Sequence, residues 1–577
     1  MISHTQTSKL LRSQLGICLL FLTTFVAVLY VYRNSYEAPF TLDDETAILK
    51  NRSIRHLCDI KSVLSPPRNT GIGGRPLVNL TYAINYAMSG TAPWSYHVAD
   101  IGIHLAAGLF LFLILRNILK KLDTVANSAV DRGWVAWVVT ALWLLHPIQT
   151  ESIVYISQRT ECMAALCYLV SFYLFTQVVD HPEANRFKIG SVAMCGAGML
   201  CKETMVTAPV FFYIFDAFII SGSFASAWRL RRELYVSLAC TWILLGLSVF
   251  DLSKRSVGYG QGFSIWTYPL LESKALYIYV LRTIWPFGFV FDYGSLKFPE
   301  LPSLLPYIGL CVVALALTIL GLIRRWKGAF LSSAFFILLA PSSSIVPVAM
   351  QPIAEHRMYL PSACLILGIV LVGYKMMGRK GLAGFGLVAI GLGFLTSQRV
   401  EVYRTPLSLW SDTVSKTSEN SRALANLGMA YTAAGHSREG EAFLRRALLV
   451  DRRNDRAQNA LGNIWYDSEN YAAAADAFRQ AIALAPGQPE YYANFGNAAL
   501  HLGRTEQAIS SYRSALLIDP GLPEVHHSLG CALASTGNFD AALLEFKKAL
   551  ELNPDFQPAR EAVTKLNMGS LHTRNRD

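Results

Sequence analysis

Long apolar runs, each closed by a polar cluster, fill the N-terminal part of the chain, and a short helical repeat fills the C-terminal part. A helix crossing a bilayer needs about 20 apolar residues. Runs of that order lie at 15–32, 96–117, 134–151, 161–179, 188–203, 205–221, 234–252, 274–291, 304–323, 329–350, 357–376 and 382–398. From residue 421 the pattern takes a 34-residue period. Leu427-Gly428, Leu461-Gly462, Phe495-Gly496 and Leu529-Gly530 keep one register, as do Ala447, Ala481, Ala515 and Ala549, and Pro486, Pro520 and Pro554. Phe478, Tyr512 and Phe546 hold the large position between the alanines. Small residues let paired helices approach, the large one fills the groove, and proline breaks the chain between units, which is the tetratricopeptide pattern. The expected fold is all-α. A polytopic membrane helical domain spans 1–398 and a linker 399–420. Repeats follow at 421–454, 455–488, 489–522 and 523–556, with a capping helix at 558–566 completing a domain at 421–568 and a frayed tail at 569–577.

Charge orients the runs. Lys9 and Arg12 precede the first run and place the N-terminus in the cytoplasm and the 33–95 loop outside. That first run is long for a signal sequence and lacks a small-residue cleavage site, so it reads as a retained span. The clusters Arg116/Lys120/Lys121, Arg229/Arg231/Arg232, Arg324/Arg325/Lys327 and Lys375/Arg379/Lys380 all fall inside if 274–291 lies in the interface or re-enters from outside. That run carries Arg282 and Pro286. The expectation is eleven spans, with the N-terminus inside and the repeats outside.

Composition agrees. Only 16% of the 577 residues are charged and 53% are hydrophobic, against about 25% charged in soluble domains. The net charge of +11 sits in loops between runs, and residues 421–566 hold 14 Lys/Arg against 16 Asp/Glu, so no nucleic-acid groove is indicated. Ten scattered cysteines without a CxxC give no disulfide framework or zinc site.

Polar residues at run ends supply the candidate chemistry. His146, Gln149 and Glu151, Arg159 and Glu161, Lys202 and Glu203, Asp292, and Glu355, His356 and Arg357 all fall on the outer side, as does Asp43-Asp44. Ionisable groups at membrane depth are expensive and by default functional or paired. Their convergence on one face points to one polar cavity at the outer leaflet. A transferase using a lipid-phosphate sugar needs a carboxylate to take a hydroxyl proton, cations to hold the departing phosphate, and an apolar groove. Asp43 and Asp44 offer the carboxylates, and their titration would be coupled. Arg159, Lys202, Arg282, His356 and Arg357 offer the cations, with His146, Glu203 and Glu355 beside them. Each also has a purely structural reading. Lys202 and Glu203 can pair with each other or with Glu161, His146 can end a span with its imidazole satisfied, Arg357 can reach for the interface, and Asp292 can cap a turn. Asn51-Arg52-Ser53 and Asn79-Leu80-Thr81 fit the glycosylation pattern, which is frequent by chance.

The ordered motifs resemble a known family. They are Asp43-Asp44, Arg75-Pro76-Leu77, Tyr96-His97 with His104, Leu145-His146-Pro147-Ile148-Gln149-Thr150-Glu151, Arg159-Thr160-Glu161, Lys202-Glu203-Thr204 with Pro209, Trp285-Pro286 with Asp292-Tyr293, and Glu355-His356-Arg357-Met358-Tyr359-Leu360-Pro361-Ser362. Together with the repeats they look like the transmembrane and tetratricopeptide-repeat protein O-mannosyltransferases and their bacterial relatives. The resemblance implies a GT-C glycosyltransferase fold and a polyprenyl- or dolichyl-phosphate sugar donor, with mannose as the expected sugar and protein Ser/Thr as the acceptor. It also implies inversion at the anomeric carbon and an acidic catalytic pair, Asp43 and Asp44, with Asp43 favoured as base by analogy. His356 departs from the Arg or Tyr-like residue expected there. The short repeat array favours a bacterial inner membrane over the endoplasmic reticulum. Nothing in the sequence points to a metal, and acidic pairs in this fold class act with or without one. The repeats would dock the acceptor or a partner protein. The alternative is a non-catalytic membrane-anchored scaffold docking periplasmic or lumenal proteins. A transporter would carry its ionisable residues near mid-span.

Overall fold

The computed structural model describes residues 4–68, 70–121, 129–249, 267–294, 301–343 and 351–574. Helices make up 80% of it, without strands among the described residues. The chain divides into two compact units, Met1–Asp412 and Thr413–Asp577. The boundary falls inside the helix Pro406–Lys416, so residues expected as a linker at 399–420 are largely helical. Thr405 and Ser408 start that helix by capping each other: each backbone N–H donates to the other's hydroxyl, at 3.2 and 3.0 Å.

The first unit is a membrane-embedded helical body. Six of its described helices are long and apolar enough to cross a bilayer: Gly16–Ser35, Trp94–Lys121, Ile156–Asp180, Glu203–Ile220, Leu301–Ile323 and Arg379–Val402. Lys327–Leu339 and Ser362–Met377 are apolar but shorter. Leu310, Val312, Val313, Leu317 and Ile319 stand exposed along Leu301–Ile323, as lipid-facing side chains do. Several runs read as single spans are divided by short turns. The run at 134–151 ends its helix at Leu144 and continues as Pro147–Gln149 and Thr150–Val154. His146-Pro147 causes the break, because proline cannot donate to the ladder. The freed groups find side chains instead: Thr396 donates to the Leu145 carbonyl at 2.7 Å, and His104 Nε2 donates to the Leu144 carbonyl at 3.1 Å. Glu203–Thr207 and Glu355–Met358 are similar 3₁₀ turns. The run at 274–291 becomes the helix Thr267–Ile284 followed by non-helical chain to Gly294. The later part of the run at 329–350 lies outside the described residues.

Between the first two long helices, Asn51 and Asn79 form a buried hub. Asn51 Nδ2 donates to Asn79 Oδ1 at 2.9 Å, and Asn79 Nδ2 donates to the Val63 carbonyl at 2.6 Å. Both triplets that fit the glycosylation pattern therefore serve this loop's own packing.

The second unit is the tetratricopeptide solenoid. Its paired helices run from Ser421–Ala433 to Phe539–Leu552. A Cβ on Gly462, Gly496 or Gly530 would stand 2.5, 2.6 or 2.6 Å from the ring of Phe478, Tyr512 or Phe546. Each glycine thus makes room for the large residue of its own repeat. In the first repeat Leu444 takes the place of the ring. Gly462→Ala is expected to cost about 1–3 kcal/mol by overpacking, read as faster amide exchange across 455–484 in the full chain. The closing helix runs Gln557–Arg574, through the expected tail, because one glycine lowers helix propensity by only about 1 kcal/mol and does not stop a helix.

Candidate active site

The adjacent acids are not equivalent. Asp44 is buried, and one of its carboxylate oxygens accepts the Ser157 N–H at 2.7 Å and the Ser157 hydroxyl at 2.5 Å. The other accepts the Thr41 N–H at 3.0 Å. Burial raises its carboxyl to about 7; the Ser157 and Thr41 bonds oppose this, and the charge of Asp43 adds to it. Leu42 has φ +46°, a backbone conformation that side chains other than glycine rarely adopt. With Asp44 tied down and the chain reversed at Leu42, Asp43 stands exposed. Its own N–H donates to the Tyr155 hydroxyl at 3.1 Å. Tyr155 packs edge-on against Phe291, so the turn is seated between two distant parts of the unit.

Around it the polar run ends meet as pairs. Lys202 Nζ reaches Glu161 at 2.6 Å, Arg75 reaches Glu203 at 2.9 Å, and His356 Nδ1 lies 2.7 Å from Glu151. Burial pushes the Glu151 carboxyl up and the His356 imidazole down, which favours the uncharged form of the pair. Glu355 accepts the Val290 N–H at 2.9 Å and the Tyr293 hydroxyl at 2.8 Å. Arg357 donates to the carbonyls of Pro352 and Gln351 at 2.8 and 2.6 Å, with Glu272 at 3.4 Å. A small cavity of about 30 Å³ lies beside this layer, walled by Ala164, Ala165, Tyr168, Leu338 and Pro361, with Glu161 and Arg357 on its lining.

Four candidates go elsewhere. Arg159 is fully buried and donates to Asp100 at 2.6 Å, Asn85 at 2.6 Å, Thr81 at 3.1 Å and the Tyr96 carbonyl at 2.8 Å. Its guanidinium is spent on tying helices together, so it is not available as a phosphate ligand. His146 is satisfied on both nitrogens, by the Ile148 N–H at 3.1 Å and the Thr283 carbonyl at 3.0 Å. Arg282 donates to the Phe287 carbonyl and closes the turn after its helix. Asp292 accepts the Gly294 N–H at 2.8 Å. Ser157, Tyr155 and Arg75 were not among the candidates. Serine and tyrosine carry no charge signal, and only the Arg75-Pro76-Leu77 motif marked the arginine.

Three tetratricopeptide-repeat models match the chain, at residues 425–489, 466–530 and 523–556. Protein O-mannosyl-transferase Tmtc3 of Drosophila melanogaster is 22% identical over 81% of this chain and 59% of its own length. Tmtc2 of the same fly is 26% identical over 51% of this chain and 32% of its own length. Protein O-mannosyl-transferase F38B6.6 of Caenorhabditis elegans is 23% identical over 73% and 61%. The chain thus spans less than two thirds of each of these relatives. Among solved structures, MamA is 27% identical over 26% of this chain and 86% of its own, with a TM-score of 0.24. With likeness running from the membrane unit into the repeats, the chain is similar to these protein O-mannosyl-transferases and carries tetratricopeptide repeats at its C-terminal end.

Proposed function

We propose that the chain is an inverting GT-C glycosyltransferase working at the outer, periplasmic or lumenal, face of its membrane. It moves a sugar, mannose being the expected one, from a polyprenyl- or dolichyl-phosphate donor to a Ser/Thr hydroxyl of a protein. The observation that carries this reading is the exposed Asp43 carboxylate, set by a braced, left-handed turn beside a layer of paired ionisable groups. Asp43 takes the acceptor hydroxyl proton as the oxygen attacks the anomeric carbon. The bond from that carbon to the phosphate oxygen breaks, and its electron pair stays on the lipid phosphate. Lys202 and Arg357 supply positive charge near the departing group. The repeats hold the acceptor protein.

The test uses the purified full chain, a dolichyl- or polyprenyl-phosphate sugar labelled in the sugar, and a Ser/Thr-rich acceptor protein. Label in the protein, released by β-elimination, is the expected result. A folded protein that moves no label from any such donor would overturn the proposal.

A further inference from the structure

We infer that the Glu151–His356 pair responds to the charge on the donor phosphate. His356 Nε2–H donates to the phosphate oxygen that receives the electron pair as the sugar leaves. Glu151 is the positioning residue behind it, and it passes the shared proton to Nδ1 as that charge grows. The inference rests on the lipid-phosphate donor proposed above.

Geometry is the first support. Glu151 and His356 lie 205 residues apart in sequence, on short helices between spans, and meet at 2.7 Å. Nδ1 is the nitrogen engaged, and among the described residues Nε2 has no partner. Nε2 is also not among the sealed, unbonded polar atoms, whereas Glu151 Oε2 is. The imidazole therefore has its back held and its front free. The neighbouring cations differ, since Lys202, Arg75 and Arg357 each have a carboxylate at 2.6, 2.9 and 3.4 Å. A phosphate that takes one of them displaces or shares an existing partner. At His356 it meets an unspent donor.

Charge balance is the second support. The donor is a phosphodiester with one negative charge, and the product is a monoester with up to two. Lys202 and Arg357 face His356 and disfavour its charged form, while Glu161 and Asp43 favour it. Arg399 and Arg357 face Glu151 and favour its ionised form, while Asp292 and Glu355 oppose it. Burial outweighs these at rest and keeps the pair uncharged. The added charge on a monoester shifts the balance toward imidazolium and carboxylate. That move needs no proton from solvent. It places a positive charge beside the phosphate only once the phosphate has gained its second negative one, which is the differential stabilisation that accelerates a step.

The pair keeps its proton at low pH and loses it at a pH that burial raises well above the ordinary carboxylate range. Above it, an uncompensated carboxylate stands behind the phosphate site. The experiment measures binding of citronellyl phosphate, a soluble prenyl monoester, to the detergent-solubilised full chain from pH 7 to 9.5. Over most of that range the probe is a dianion. Wild-type affinity is expected to fall by up to about tenfold per pH unit once the pair deprotonates. Glu151→Gln is expected to bind with a flat profile, since its amide still donates to Nδ1 and has no proton to lose. His356→Gln removes the imidazole donor and is expected to bind about tenfold more weakly at pH 7; that loss carries the test if Glu151→Gln fails to fold. A wild-type slope retained in folded Glu151→Gln would place the titrating group elsewhere, and wild-type affinity at pH 7 in folded His356→Gln would leave the imidazole without a role; either result would overturn the inference. A wild-type protein that binds no citronellyl phosphate at any pH would overturn the proposed donor, and the inference with it.

Discussion

Asp43→Asn is expected to lower sugar transfer by about 10²–10⁴-fold, the usual worth of a positioned general base, while leaving the melting temperature of the purified protein unchanged. The side chain is exposed, and its backbone N–H, which bonds Tyr155, survives the substitution. Asp44→Ala is expected to lower both transfer and stability. It leaves the Ser157 and Thr41 N–H groups without the acceptor they now share, at about 1–3 kcal/mol for each buried donor left unmade. The two variants are separated by melting temperature, not by activity. If Asp43→Asn melts as Asp44→Ala does, or if it transfers at the wild-type rate, the division of labour between the two acids is wrong. The pH dependence has a definite sign. Burial raises the Asp44 carboxyl from 3.8 to about 7, so the folded state holds that proton more tightly than the unfolded state. The stability advantage of wild type over Asp44→Ala is therefore largest below pH 3.8 and declines as pH rises through 7. Melting curves of both proteins at pH 5 and pH 8 read this directly.

Arg159→Ala is expected to be the most destabilising single change in the membrane unit, at about 3–5 kcal/mol. The cost comes from the buried Asp100 carboxylate left behind, 0% exposed, and from Asn85, Thr81 and the Tyr96 carbonyl losing their shared donor. Arg159→Lys is expected to recover little, because a single ammonium cannot span groups arranged for a planar fork. The double change Arg159→Met with Asp100→Leu is expected to restore part of the folded yield, since replacing both members of a buried pair with apolar groups costs less than removing one. Yield of monodisperse protein and thermal melting are the measurements. A stable Arg159→Ala protein that loses only donor binding would return this residue to the phosphate site.

These predictions also mark where sequence reasoning stops. The repeats were legible because their contacts are local. Gly462 and Phe478 belong to one helical pair and recur with the period, so the pattern that shows them is also the packing that uses them. The apolar runs were legible because transfer into lipid depends on composition over a window of about 20 residues. Their breaks were less so. A helix ending at Leu144 depends on Thr396 and His104 to satisfy its freed groups, and these lie well away along the chain.

The site was legible as a set but not as roles. The charge count grouped Asp43, Asp44, Glu161, Lys202, Glu355, His356 and Arg357 as one set, and within it Lys202 meets Glu161 at 2.6 Å. It could not separate Asp43 from Asp44, because neighbouring identical side chains carry no local difference. Ser157, 113 residues away, makes that difference by taking one carboxylate and leaving the other. Arg159 looked like a cation for phosphate because formal charge does not reveal that four of its donors are already taken.

What the sequence determined by itself was therefore the material: an all-helical chain, a membrane part, a repeat part and a polar face. These follow from hydropathy, periodicity and net charge, which are sums over neighbours along the chain. Only the tertiary structure decided which acid is held and which is presented, which cations are already paired, and that His356 rests on Glu151. Those are properties of single hydrogen bonds between residues distant in sequence, and a hydrogen bond depends on geometry that no window along the chain contains.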